Sequence, residues 1–293
     1  MRLKSFFWLM AGVLMLSACT DEETMVNEVE EGIIRLDVRH PSQQTRLTDT
    51  AFENYDSIGL YVTTTDEPLK VGGNEVNNEC YVYDGTAWTP LRKVYWNQGK
   101  HNVYAYYPYS KGITNVDDYP FAVATDQSLT TPEAGMTPYE ASDFLWASAM
   151  DVEGSSNPVK LQFSHRMSNA YVKIEKGEDY DGSLPSDMEV YIHSTVADAL
   201  IDLSTGDVVK NDYASEKTIK ARKLSNTEFV ACVVPQRIDT RRPLVEVVTK
   251  GISYLMEGRI SYKQGMRHTL VVTISKSPEQ TKIEIGGGIG GWD

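Results

Sequence analysis

The stretch Phe163-Ser164-His165-Arg166-Met167-Ser168 sets a hydroxyl, an imidazole and a guanidinium side by side. These are the groups of nucleophilic catalysis, in which a base activates a hydroxyl within hydrogen-bond reach. The surrounding pattern, Val-Lys-Leu-Gln-Phe-Ser-His over 159–165, alternates apolar and polar residues and predicts a strand. Neighbours on a strand point to opposite faces, so Ser164 and His165 cannot meet as nucleophile and base. His165 shares a face with Met167 and reads as a structural histidine beside a domain junction. His40, His101, His193 and His268 are equally isolated. Asp117-Asp118 precede Tyr119-Pro120 and read as turn residues. No GxSxG, HExxH, GxGxxG or phosphate-binding loop occurs. The expectation is a protein without catalysis, cofactor or metal.

A second constellation is aromatic. Trp88, Tyr95, Trp96, Tyr104, Tyr106, Tyr107 and Tyr109 fall between residues 88 and 109. Such rings can stack on sugars while tyrosine hydroxyls hydrogen-bond the rim, which would make a glycan-binding module. They can equally be core. In Asn-Val-Tyr-Ala-Tyr-Tyr-Pro-Tyr (102–109), Val103, Ala105 and Tyr107 share one face and Tyr104 and Tyr106 the other. A strand apolar on both faces is one covered on both sides.

The third reactive group is a thiol. Arg2 and Lys4 precede an uncharged run, Phe6 to Leu16, and then Leu16-Ser17-Ala18-Cys19. A membrane span needs about 20 apolar residues. The run is too short for that and fits the h-region of a secretory signal over residues 1–18. A small-residue site ending in cysteine resembles the lipobox of bacterial lipoproteins. That resemblance implies that Cys19 becomes the first mature residue, carries fatty acyl chains and ties the protein to the outer membrane, since two chains give a stable anchor. Six of residues 20–31 are acidic, so 19–31 reads as a solvated tether. Extended, it could reach about 40 Å. Asp21 to Glu23 also resemble the signal that exports Bacteroidetes lipoproteins to the outer face of the outer membrane.

The net charge is −13 over 293 residues. Removing Arg2 and Lys4 with the signal makes it −15, which repels phosphate backbones and excludes nucleic acid as a partner. The other two cysteines, Cys80 and Cys232, lie far apart without CxxC spacing. They read as buried free thiols, with a disulfide as the alternative.

Positioning falls to strands. Segments such as Ile-Ile-Arg-Leu-Asp-Val-Arg-His (33–40), Ser-Ile-Gly-Leu-Tyr-Val-Thr-Thr (57–64) and His-Thr-Leu-Val-Val-Thr-Ile-Ser (268–275) alternate with period two between turn residues. Sixteen to eighteen such strands predict packed antiparallel sheets, an all-β fold. The one helix candidate is 138–150, for which a strand is equally compatible. Gly-Ile-Ile-Arg-Leu-Asp-Val-Arg-His (32–40) is echoed by Pro-Val-Lys-Leu-Gln-Phe-Ser-His-Arg (158–166). The echo predicts two domains, 32–156 and 157–293, each opened by one copy, with a linker at 151–158.

In order, several stretches resemble the fimbrillin-like proteins of Bacteroidales, subunits of surface fimbriae. They are Thr45 to Val62, the Trp…Tyr-Trp…Ala-Tyr-Tyr-Pro block of 85–110, Ala141 to Ala149, the Leu-x-Phe-x-His segment of 159–174, and Ile283 to Asp293 with its near-terminal Trp292. The resemblance implies two tandem transthyretin-like antiparallel β-sandwiches. It further implies export as a lipoprotein, other fimbrial subunits as partners, and assembly by strand exchange; a host or glycan ligand is a separate candidate partner. In that scheme a protease cuts after an arginine near the N-terminus and removes the first strand. Arg46, in the polar loop after 32–40, is the candidate cut, since loops are where proteases act. Ile34, Leu36 and Val38 would be the apolar side chains of the removable strand. Ile283, Ile285 and Trp292 would belong to the closing or donated strand, which its glycines weaken.

Overall fold

The computed structural model describes residues 32–41, 51–131, 135–276 and 281–292. Strands come first: β1 (Leu36–Arg39), β2 (Ser57–Thr64), β3 (Val76–Tyr83), β4 (Trp88–Pro90), β5 (Lys100–Tyr107) and β6 (Tyr119–Ala122). One short helix follows, α1 (Pro138–Ala141). Then come β7 (Leu145–Glu153), β8 (Val159–Gln162), β9 (Ser164–His165), β10 (Ser168–Lys176), β11 (Glu189–Val196), β12 (Asp198–Ile201) and β13 (Val208–Lys210). The last are β14 (Glu216–Lys220), β15 (Arg222–Lys223), β16 (Glu228–Val233), β17 (Gln236–Thr249), β18 (Ile252–Tyr262), β19 (Met266–Ile274) and β20 (Lys282–Gly291). The fold is all-β, as the alternation predicts.

Six strands form one sheet in the order β4-β3-β2-β5-β7-β9. Its centre pairs Leu60 with Ala105 and Ala105 with Ala147. On that face Leu60, Val62, Val103, Ala105, Leu145 and Ala147 form a buried cluster with Ile34, Val159, Leu161 and Phe163. The cover on this face includes a two-stranded ribbon, β1-β8. The opposite face presents Tyr61, Tyr104, Tyr106 and Trp146 to a second, larger core. Both faces are therefore buried.

The larger core lies between a five-stranded sheet, β15-β16-β10-β19-β20, and a four-stranded sheet, β14-β11-β17-β18. Alternate residues of β10 (Ala170, Val172, Ile174), β11 (Val190, Ile192) and β19 (Leu270, Val272, Ile274) supply it. A small sheet, β13-β12-β6, joins residues 119–122 to 198–210. Cys80 and Cys232 are both buried, and no disulfide joins them.

Two features differ from the sequence expectation. Not all pairing is antiparallel: β1 runs parallel to β8 and β10 parallel to β19. The echoed segments 32–40 and 158–166 do not each open a separate layer. They lie side by side, Leu36 opposite Val159 and Val38 opposite Leu161. Two strands with the same apolar register can share one face in one ribbon, which is the arrangement found. Pairing crosses residue 157 in β1–β8, β7–β9 and β6–β12. The expected linker is partly strand, since β7 runs to Glu153.

Segment 138–150 divides between its two readings. Thr137 caps α1: its hydroxyl accepts from the Glu140 amide, the Glu140 carboxylate accepts from the Thr137 amide, and Pro138 occupies the first turn. The helix ends at Ala141 and β7 begins at Leu145.

Candidate functional site

The strand expected to be removable packs on the small core. β1 has four residues and, among the described residues, pairs with one strand only. Ile34, just ahead of it, is 1% exposed, and its carbonyl accepts from the Tyr81 hydroxyl at 2.9 Å. The Ile34 amide donates to the Val94 carbonyl at 3.0 Å. Leu36 and Val38 pack half-buried on the cluster. Beside them in the ribbon Val159 and Leu161 are buried, so β1 and β8 together cover the apolar face of the six-stranded sheet.

The end of β1 leads into a junction of rings. His40 packs edge-on against Phe52 at 4.9 Å and against His165 at 6.0 Å between centroids. His165 is buried, and its Nδ1 lies 2.9 Å from the Asp143 carboxylate, which fixes the ring. Trp292 stacks flat on His165, centroids 4.1 Å apart and planes 6° apart. The Trp292 amide donates to the Gly265 carbonyl at 2.9 Å. Gly265 has φ +66°, and a Cβ there would lie 3.0 Å from the His165 carbonyl oxygen. A side chain at 265 would therefore be strained and would crowd the histidine that Trp292 covers.

Sequence reasoning names Trp292 and His165 separately and misses that they touch. Asp143 and Phe52 fall within the stretches 141–149 and 45–62, to which it gives a family resemblance but no role. The signals were the Phe-x-His segment and the near-terminal tryptophan; nothing local in either points to the other. Ser164 and His165 stay apart, as strand geometry requires: the Ser164 hydroxyl donates to the Trp146 carbonyl at 3.3 Å. β20 forms the edge of the five-stranded sheet, pairing with β19 from Thr273–Lys282 to Met266–Gly291. Ile283 and Ile285 lie on its backbone ladder. Cys19 and Arg46 lie outside the described residues.

An acidic crevice opens beside the junction. It is lined by His40, Phe52, Glu53, Asp56, Tyr107, Met136, Tyr139, Glu140 and Asp143, among others. Burial raises the Asp56 pKa, opposed by bonds from the Glu53 amide and the Tyr107 hydroxyl. Burial, with a smaller contribution from His165, lowers the His40 pKa from 6.5 to about 4. His40 is thus neutral in the folded protein at pH 7, while an unfolded chain protonates it below about pH 6.5. The unfolded state binds more protons between these values, so this contribution to stability is lost as the pH falls through the window. At pH 4.5 the loss is ~2–3 kcal/mol. Urea unfolding at pH 7 and 4.5 checks this: His40→Phe should lose that much less than wild type on acidification, and an equal loss in both would refute the assignment.

The aromatic block is mainly packing. Trp88 and Tyr107 lie in the small core and Tyr104 and Tyr106 in the large one. Trp96 and Tyr109 are half-buried, and Tyr95 is 51% exposed.

A profile described as fimbrillin-like matches residues 45–292. The chain belongs to the fimbrillin-like family. Among solved structures, this fimbrillin-like chain is similar to a candidate cell adhesion protein from Bacteroides ovatus, with TM-score 0.69 and 20% identity over 89% of this chain and 97% of that one. It is also similar to a candidate cell adhesion protein from Bacteroides uniformis, with TM-score 0.68 and 17% identity over 91% and 99% of the two chains. At such identities the likeness is one of fold. A search of curated proteins gave no match. Among the described residues, no helix of the fimbrillin-like chain is long and apolar enough to cross a membrane.

Proposed function

We propose that this protein is a structural subunit, or an accessory or tip adhesin, of cell-surface fimbriae. It is exported as a lipoprotein acylated on Cys19 and held at the outer membrane. A cut after Arg46 frees the segment bearing Ile34, Leu36 and Val38. A strand from a neighbouring subunit then occupies the vacated seat, with Ile283, Ile285 and Trp292 on the element available for donation.

The observation that carries this reading is how β1 is held. It is short, pairs along one edge with β8, and packs Leu36 and Val38 on the small core beside buried Val159 and Leu161. A strand seated in this way can be replaced by another of similar pattern, because backbone hydrogen bonds supply affinity and alternate side chains fill the pockets. Family membership and a fold shared with candidate cell adhesion proteins support the same role.

Material taken from the cell surface tests it by non-boiled gel and intact mass. The expected result is a ladder whose subunits begin at Leu47. A monomer beginning at acylated Cys19 would remove the stalk role and leave an anchor. An unlipidated monomer retaining residues 1–18 would remove the whole scheme.

A further inference from the structure

The two elements that strand exchange would move lie at opposite ends of the sequence, yet both end on the same side chain. From β1 the contact runs through His40; from β20 it runs through Trp292; His165 touches both rings. We infer that His165 couples the seating of the first strand to the retention of the closing strand, so that loss of β1 loosens β20.

Three observations carry this. β20 is an edge strand whose Lys-Ile-Glu-Ile-Gly-Gly-Gly-Ile-Gly-Gly sequence is half glycine, and glycine contributes no side-chain packing to a strand. Its C-terminal anchor, Trp292, is 6% exposed and belongs to the large core. A weak strand with one well-buried aromatic at its end depends heavily on that aromatic. The anchor rests flat on His165, whose orientation is set by Asp143, and the first residue after β1, His40, packs its ring against the same imidazole. His40 also contacts Phe52, so its departure opens that corner to water. Hydrating His165 weakens the stack that holds Trp292.

Charged and titratable groups around the junction are His40, His165 and Asp143, with Glu53, Asp56 and Glu140 lining the crevice beside it. The coupling needs no change in their charge; it works through ring contacts and the water they exclude. Its use in assembly rests on the strand-exchange reading: freeing the N-terminal strand would prime the C-terminal one. The coupling itself is a property of the uncut chain.

Hydrogen exchange read by mass spectrometry on the full uncut chain tests it. His40→Ala should accelerate exchange across 282–292 by about 3- to 10-fold, the equivalent of one aromatic pair, while β10 keeps its protection. His165→Ala should accelerate it at least as much, and His165→Phe, which keeps a ring for Trp292, should restore much of the protection. Coupling is reciprocal, so Trp292→Ala should accelerate exchange across 34–40 by a similar factor. Unchanged exchange at 282–292 in His40→Ala overturns the inference. So does unchanged exchange at 34–40 in Trp292→Ala, which decides the matter if His40→Ala loosens β10 as well. Neither outcome depends on a cut after Arg46, so failure of the coupling and failure of the assembly scheme are separable.

Discussion

A chain lacking residues 32–40 is expected to lose much of its stability and to recover it when the peptide Gly-Ile-Ile-Arg-Leu-Asp-Val-Arg-His is added in trans. Ile34 is fully buried, and full burial of such a side chain contributes ~1.5–3 kcal/mol. Leu36 and Val38 are half-buried and add roughly another 2 kcal/mol between them. Removal also strips Leu161, 0% exposed in the intact chain, of the strand beside it. A total of ~3–5 kcal/mol is a large share of the 5–15 kcal/mol that holds a typical domain together. Urea titration with and without the peptide reads the effect. An unchanged midpoint in the truncated chain would mean that β1 is ornament, and the strand-exchange reading would lose its physical basis.

The second large effect is expected at Gly59. A Cβ there would lie 2.2 Å from Tyr106 Cε1, 2.5 Å from Cζ and 2.7 Å from Asn78 Oδ1. The ring has nowhere to go. Tyr106 is 1% exposed, its single hydroxyl proton lies within reach of two acceptors, Asn78 Oδ1 at 2.8 Å and the Ser110 carbonyl at 2.9 Å, and it stacks on Phe144. Gly59→Ala should therefore cost about 3 kcal/mol, at the upper end for an overpacked core site. Tyr106→Leu in the same chain should relieve part of the cost, a non-additivity expected for touching residues. A cost for Gly59→Ala below about 1 kcal/mol would show that the ring slides aside.

Much of the fold was legible because period-two alternation records which residues face a core. The segments around 57–64, 102–109 and 268–274 are strands, as their pattern predicts. The two-sided burial of β5 was readable from apolar residues on both its faces. The helix cap at Thr137-Pro138 was present in the letters, but four helical residues leave no room for a 3.6-residue period to declare itself. Partner choice was not legible. Alternation gives every strand a face and no neighbour, so 32–40 and 158–166 looked like equivalent openings when they are one ribbon. Gly59 read as part of an Ile-Gly strand, and only the register that sets it opposite Tyr106 explains the glycine. The His165–Trp292 stack was invisible for the same reason. Contacts between distant segments are decided by the sheets that carry them.

The parallel pairing of β1 with β8 has a consequence for growth. A strand replacing β1 with the same hydrogen bonds must enter in the same direction and register, Leu36's place opposite Val159 and Val38's opposite Leu161. A fixed entry direction makes the donated strand and the accepting seat different surfaces, so exchange that is not reciprocal joins copies head to tail. Repetition of such a head-to-tail contact, unless its rotation closes a ring, gives an open filament. All its subunits would point the same way, giving the filament distinct leading and trailing ends.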